Sequence, residues 1–109
     1  MGYYVPGDVL LLPIELGGIR GKKARPAVVV GTDGDQFLLV CPISSHPPGD
    51  DSCLPLELED FAEGGLDLFT GSYILVSHTC RIRKSGVIGK KGRLTRQYMD
   101  AITPIRAGK

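Results

Sequence analysis

Arg25-Pro26 leads directly into Ala27-Val28-Val29-Val30, and this run constrains the fold more than any other stretch. Three consecutive valines are stiff at χ1 and favour a strand over a helix. Pro26 costs least at the first residue of such a strand, where a missing N–H is tolerated. The residues before it include Gly17, Gly18 and Gly21 and read as a flexible loop that carries Arg20, Lys22 and Lys23. Arg25 is therefore expected where a mobile basic loop meets a rigid sheet. A cation held there suits an anionic ligand.

The rest of the chain is broken up by 15 Gly and 8 Pro, which favours turns and short strands. Asp8–Ile14 reads as a first strand, opened by Pro6-Gly7. Arg25–Thr32 and Gln36–Ile43 read as a hairpin closed by Asp33-Gly34-Asp35. Leu54, Leu56 and Leu58 alternate with Pro55, Glu57 and Glu59, the period of a half-buried strand, and Pro55 sets that strand at an edge. Glu59–Leu66 reads as a short helical turn. Ser72–Val76 is a fifth strand with a polar tail to Arg83, and Lys84–Arg93 is a last short strand. Thr95 is the expected N-cap of a helix with Tyr98, Met99 and Ile102 on one side, ended early by Pro104. Five to six strands at this spacing predict a mainly β chain, a small barrel closed to hide its edges, forming a single domain over residues 1–109.

Charge is strongly segregated along the sequence. Residues 1–25 carry four basic and two acidic side chains, residues 26–80 nine acidic and no Lys or Arg, and residues 81–109 nine basic and one acidic. The net charge of +1 hides this pattern. Two arrangements are open. The basic segments converge on one groove that attracts phosphate, or the opposite charges pair across the surface.

The apolar runs Val9–Ile14 and Ala27–Val30 are far too short to span a bilayer, and no signal-like segment opens the chain. A cytoplasmic protein without membrane contact is expected. Three cysteines with no CxxC spacing argue against a disulfide framework and suit small buried side chains in a reducing compartment. Cys41, His46, Cys53, His78 and Cys80 supply enough donors for zinc by number. Their spacings match no common ligand pattern, so neither a metal nor any other cofactor is expected.

Several segments together resemble the MazF/PemK toxin family over roughly residues 7 to 95. They are Gly7-Asp8-Val9, Lys23-Ala24-Arg25-Pro26-Ala27-Val28-Val29-Val30, Cys41-Pro42-Ile43-Ser44, Ser72-Tyr73-Ile74-Leu75 and Gly92-Arg93-Leu94-Thr95. The resemblance implies an SH3-like β-barrel with a short C-terminal helix, usually a homodimer. It implies a metal-independent endoribonuclease that cuts single-stranded RNA and is the toxin half of a toxin–antitoxin pair. In that family an Arg at the position of Arg25 and a Thr at the position of Ser44 carry catalysis. The ribose 2′-OH attacks the adjacent phosphate, leaving a 2′,3′-cyclic phosphate and a 5′-OH. This chain differs in having Ser44 for Thr, and Ser77-His78 where the family tends to carry an acidic residue and Gln.

The chemistry of the residues agrees with that assignment. Cleavage of this kind needs a positive donor for the developing phosphorane, and Arg can fork onto two phosphate oxygens. It also needs proton transfer, for which Arg25 and Ser44 are poor. His78 has the suitable pKa range, as does His46 on its loop. Arg25, Ser44 and His78 are thus the candidate catalytic residues. Arg20, Lys22, Lys23, Ser45, His46, Arg81 and Arg83 are the candidate RNA contacts. Tyr3, Tyr4, Tyr73 and Tyr98 are the scarce rings on which bases can stack. Plain structural roles compete with each: a salt bridge from Arg25 to Asp8 or Glu15, a turn role for Ser44, a strand-end role for His78. An acidic antitoxin protein is the expected silencing partner. The principal alternatives are a non-catalytic toxin of the gyrase-binding CcdB type, built on the same barrel, and an inactive nucleic-acid-binding barrel.

Overall fold

A computed structural model describes residues 4–14, 23–44, 54–64, 72–76 and 79–107. Among these, eight antiparallel strands and one helix follow in the order β1 (Asp8–Ile14), β2 (Lys23–Asp33), β3 (Phe37–Ser44), β4 (Leu54–Leu56), β5 (Phe61–Gly64), β6 (Ser72–Ile74), β7 (Cys80–Arg83), β8 (Gly89–Leu94) and α1 (Arg96–Ala107). The mainly β fold with a C-terminal helix is the expected one. The strand count exceeds the expected five to six because two short strands are poorly marked in the sequence. β5 buries little beyond part of Phe61, so no alternation announces it. β7 is the segment taken for a polar tail, although Cys-Arg-Ile-Arg does alternate. The helical turn expected over Glu59–Leu66 shrinks to one 3-10 turn, Leu58–Asp60, followed directly by β5.

The strands run across the sheet in the order β4-β6-β3-β2-β1-β8-β5, with β7 also pairing β3. The two ends of this path, β4 and β5, are near neighbours in sequence. Only residues 57–60 separate them, so the covalent chain itself bridges the ends of the curled sheet. The Asp60 carboxylate accepts from the Glu57 amide at 2.8 Å, and the Asp60 carbonyl accepts from the Thr95 amide at 2.9 Å, which pins this corner to the start of α1. Pro55 lies on the end strand, as its missing N–H predicts.

The sheet buries both faces. Val9, Val28, Cys41, Ile43, Leu56, Ile74, Val76, Leu94 and Ile102 fill one side, with Tyr98 and Met99 of α1 packed on it. Leu10, Leu12, Ala27, Val29, Leu38 and Val40 fill the other, flanked by Tyr4, Cys80, Ile82 and Val87. The continuous apolar runs of β1 and β2 follow from this two-sided burial.

The Thr95 hydroxyl accepts from the Tyr98 amide at 3.1 Å, the expected N-cap. The expected early stop at Pro104 does not occur, and α1 continues to Ala107. Pro removes one backbone bond one turn before the helix end. Burial of Ile102 beside Tyr98 and Met99 holds the preceding turns and outweighs that loss.

Candidate active site

Alternation along β2 decides where Arg25 points. Ala27 and Val29 belong to the second apolar cluster, so Arg25, two residues before Ala27, lies on that same face. β2 begins at Lys23 rather than at Arg25, so Arg25 and Pro26 are already inside the strand, opposite Leu12 and Leu11 of β1. The β2–β3 register runs Val29↔Val40, Val28↔Cys41 and Ala27↔Pro42. Followed two residues further along both strands, it sets Arg25 across from Ser44. Ser44 shares the face of Val40 and Pro42 by the same alternation. On its other side Ser44 pairs with Tyr73 of β6, and Tyr73 with Pro55 of β4. The β2–β3 ladder itself ends at Ala27↔Pro42, two residues short of the Arg25–Ser44 pair. Continued in phase across that gap, the ladders give one transverse row of Leu12, Arg25, Ser44, Tyr73 and Pro55, with a guanidinium, a hydroxyl and a phenol ring on one face.

Arg25 is half-buried, and its Nε is shut off from solvent with no hydrogen-bond partner among the described residues. A buried N–H left unmatched costs about 1–3 kcal/mol, so it calls for an explanation. The Asp8 salt bridge that competed with the ligand-binding reading is not made. Asp8 is 1% exposed and committed elsewhere, accepting from the Val5 amide at 3.0 Å and from Arg93 Nε at 3.0 Å, with Lys90 Nζ at 3.3 Å. Burial alone would raise the Asp8 pKa. The Val5 amide, the Arg93 guanidinium and the Lys90 ammonium together outweigh it and hold the carboxyl below its ordinary value.

Arg81 and Arg83, expected as RNA contacts, do not share this face. Their neighbours Cys80 and Ile82 pack with the second cluster, so the two arginines point the other way, opposite Leu39 and Phe37. Arg81 pairs with Asp33 at 2.7 Å and lies 3.7 Å over the Phe37 ring, and Arg83 lies 5.2 Å from the same ring. They also sit toward the far end of β3, roughly 15–25 Å along the strand from Ser44. The ladders thus do not bring Arg81 or Arg83 into one groove with Arg25. Arg93 and Lys90 face Asp8, so part of the basic C-terminal segment pairs with acids instead. Glu15, Arg20, Lys22, Ser45, His46, Cys53 and His78 lie outside the described residues, as does the Lys23 side chain.

Cys41 is buried, its sulfur 3.7 Å from the Thr79 hydroxyl, and burial pushes the Cys80 thiol pKa up, away from thiolate chemistry. Among the described residues no three His, Cys, Asp or Glu side chains are grouped to hold a metal ion, and no helix is long and apolar enough to cross a membrane.

Sequence reading singled out Tyr73 only as a possible stacking ring. Its place beside Ser44 depends on the β3–β6 pairing, which joins segments some thirty residues apart and leaves no local signal.

Comparison with solved structures agrees with this architecture. The Mycobacterium tuberculosis toxin MazF-mt6 matches over 93% of this chain and 93% of its own, with a TM-score of 0.68 at 17% identity. A mycobacterial endoribonuclease in complex with its cognate antitoxin matches over 97% and 96%, with a TM-score of 0.62 at 13% identity. These likenesses bear on the fold. No curated protein sequence matches. The model of PemK-like, MazF-like toxins of type II toxin–antitoxin systems matches residues 6–104, a span that takes in the whole transverse row and every strand around it. The chain belongs to that PemK-like, MazF-like toxin family.

Proposed function

We propose that this chain is a metal-independent endoribonuclease toxin that cuts single-stranded RNA to a 2′,3′-cyclic phosphate and a 5′-OH. The observation that carries the reading is the unmatched, buried Arg25 Nε on the face and at the end of the sheet where Ser44 stands. A phosphate oxygen is the acceptor that such a donor lacks. As the 2′-oxygen attacks, negative charge grows on the equatorial phosphate oxygens, and a guanidinium fixed by the sheet needs little reorganisation to meet it. Ser44 orients the 2′-OH. His78 carries the proton between the 2′-OH and the leaving 5′-oxygen. Arg20, Lys22, Lys23, Ser45 and His46 supply further contacts to the RNA strand.

The same cationic site gives the silencing partner its chemistry. An acidic, partly disordered antitoxin segment covers it and competes with RNA. The antitoxin complex of a structural relative lends support to a partner of this kind. The active particle is proposed to be a homodimer.

The test is purified Arg25→Ala on single-stranded RNA. Cleavage should fall roughly 100- to 1,000-fold, the loss typical of removing one donor to a developing oxyanion, with the melting temperature little changed. Arg25→Lys should recover little, because a point charge cannot fork. Unchanged cleavage by Arg25→Ala would sink the assignment.

A further inference from the structure

We infer that Tyr73 is the platform on which an RNA base stacks beside the scissile phosphate, which makes it a specificity-determining residue. The inference rests on the endoribonuclease reading for the identity of the ligand, and on the sheet geometry for everything else.

Directly paired residues in an antiparallel ladder project to the same face. Tyr73 is paired with Ser44, so its ring is on the Arg25–Ser44 face and one strand further out. Neighbouring strands lie about 4.8 Å apart, so with the β2–β3 register continued two residues past its last pair the Tyr73 backbone falls roughly 10 Å from that of Arg25. A nucleotide whose phosphate meets Arg25 and whose ribose meets Ser44 extends its base along the same row, and Tyr73 is the next side chain on it. The alternating partners Ile74, Ile43 and Leu54 are packed on the opposite face in the first cluster, so the ring is not drawn into that core.

The ring itself suits the task. It is half-buried and so presents part of its surface. Its hydroxyl makes no hydrogen bond among the described residues and therefore has no structural duty there to compete with a ligand. Exposed Pro55 is its outer neighbour, an apolar rim with no backbone N–H. The edge strand carrying Pro55 is held in place, since its carbonyl accepts from the Tyr98 hydroxyl at 2.5 Å. Tyr73 is on β6, which is paired to β3 on one side and to that held strand on the other, so its ring loses little freedom when a base lies on it. Stacking of this kind tolerates any base but favours the larger π surface, so a purine is preferred at that position.

The experiment compares the wild-type chain with Tyr73→Phe, Tyr73→Leu and Tyr73→Ile. Two readouts are taken: the spectrum of cut sites on a long RNA of mixed sequence, and the affinity for a 2′-O-methylated single-stranded RNA that cannot be cut. Tyr73→Phe keeps the ring and should bind and cut like the wild type. Tyr73→Leu keeps apolar bulk without a π face. It should lose roughly 10- to 100-fold in affinity, the range for one base–aromatic stack. Base preference should flatten at a single position next to the cut. Tyr73→Ile favours strands and serves the same purpose if the Leu variant melts early. Wild-type affinity and an unchanged cut spectrum in a folded Leu or Ile variant would overturn the inference. So would a Phe variant as weak as Leu, which would assign the effect to the hydroxyl. If the wild type cuts no RNA while binding still depends on the ring, the endoribonuclease reading fails and the platform stands.

Discussion

The Tyr98 hydroxyl donates to the Pro55 carbonyl at 2.5 Å, tying α1 to the outermost strand of the sheet. Pro55 has no N–H to offer, and this bond takes its carbonyl. The neighbouring Glu57 amide is used by Asp60. The strand edge is thereby closed to pairing with another chain. Burial pushes the Tyr98 hydroxyl pKa up, helped by the Asp60 and Glu57 charges, so the group remains a donor.

Tyr98→Phe removes that bond without removing the ring. It should cost about 1 kcal/mol, the usual net worth of one hydrogen bond, seen as a lower urea midpoint. The freed carbonyl should also raise concentration-dependent association, measured by light scattering. A variant as stable and as monodisperse as the wild type would show that the contact has no such role.

Asp8 sets an acid limit. Its carboxyl has a lowered pKa in the folded protein against an ordinary value of 3.8. Its contribution is therefore full above the ordinary value and is lost as pH falls through the lowered one. Asp8→Asn should destabilise the fold at neutral pH by about 2 kcal/mol, the scale of a hydrogen bond to a charged group. The gap between variant and wild type should close on acidification below about pH 4. Urea titrations of both proteins from pH 7 downward measure it. A gap that does not shrink would mean the ionised form is not what stabilises.

Gly64 ends β5 at φ +65°, and a Cβ there would stand 2.8 Å from Gly92 Cα and closer still to the Lys91 carbonyl oxygen. Backbone cannot yield as a side-chain tip can. Gly64→Ala should cost about 3 kcal/mol, combining left-handed strain with a clash, and should loosen the β5–β8 ladder. Thermal melting with amide exchange along β5 would show both. Gly34, also at positive φ but with open space around it, is a control that isolates the strain.

The proposed cleavage uses Arg25 and the substrate's own 2′-OH. RNA cutting should therefore persist in excess EDTA and leave cyclic phosphate ends, read by end-labelling. Loss of activity in chelator, restored by zinc or magnesium, would replace this mechanism with a metal-assisted one.

The elements legible in the sequence were those with local signals. Val9 to Ile14 is one apolar run, and β1 has the bounds it suggests. Asp33-Gly34 marks the hairpin, with Gly34 at φ +78°. Thr95 marks the helix start. β5 was hidden because three of its four residues are exposed and no alternation survives. β7 was visible in principle, since half-buried Cys80 and Ile82 alternate with two exposed arginines. Reading that alternation would also have turned Arg81 and Arg83 away from Arg25. Of the candidate site, Arg25 stood out by its place before the valine run and Ser44 by the family resemblance. The place of Tyr73 beside Ser44 did not, because β3 pairs with β6 across a long stretch of unrelated sequence.

The ladder between β1 and β8 has a consequence for synthesis. Asp8 and Arg93 are 85 positions apart, yet they are hydrogen-bonded partners near the start of the first strand. Until residues 89–94 have been made, one edge of β1 has no mate and β5 has nothing to pair with. Loop closure over such a distance must come before its contacts can repay it. A nascent chain halted before Gly89 therefore holds Arg25 and Ser44 on a sheet that cannot close. A ribosome must translate nearly all of the strand-forming sequence before the sheet around Arg25 can close.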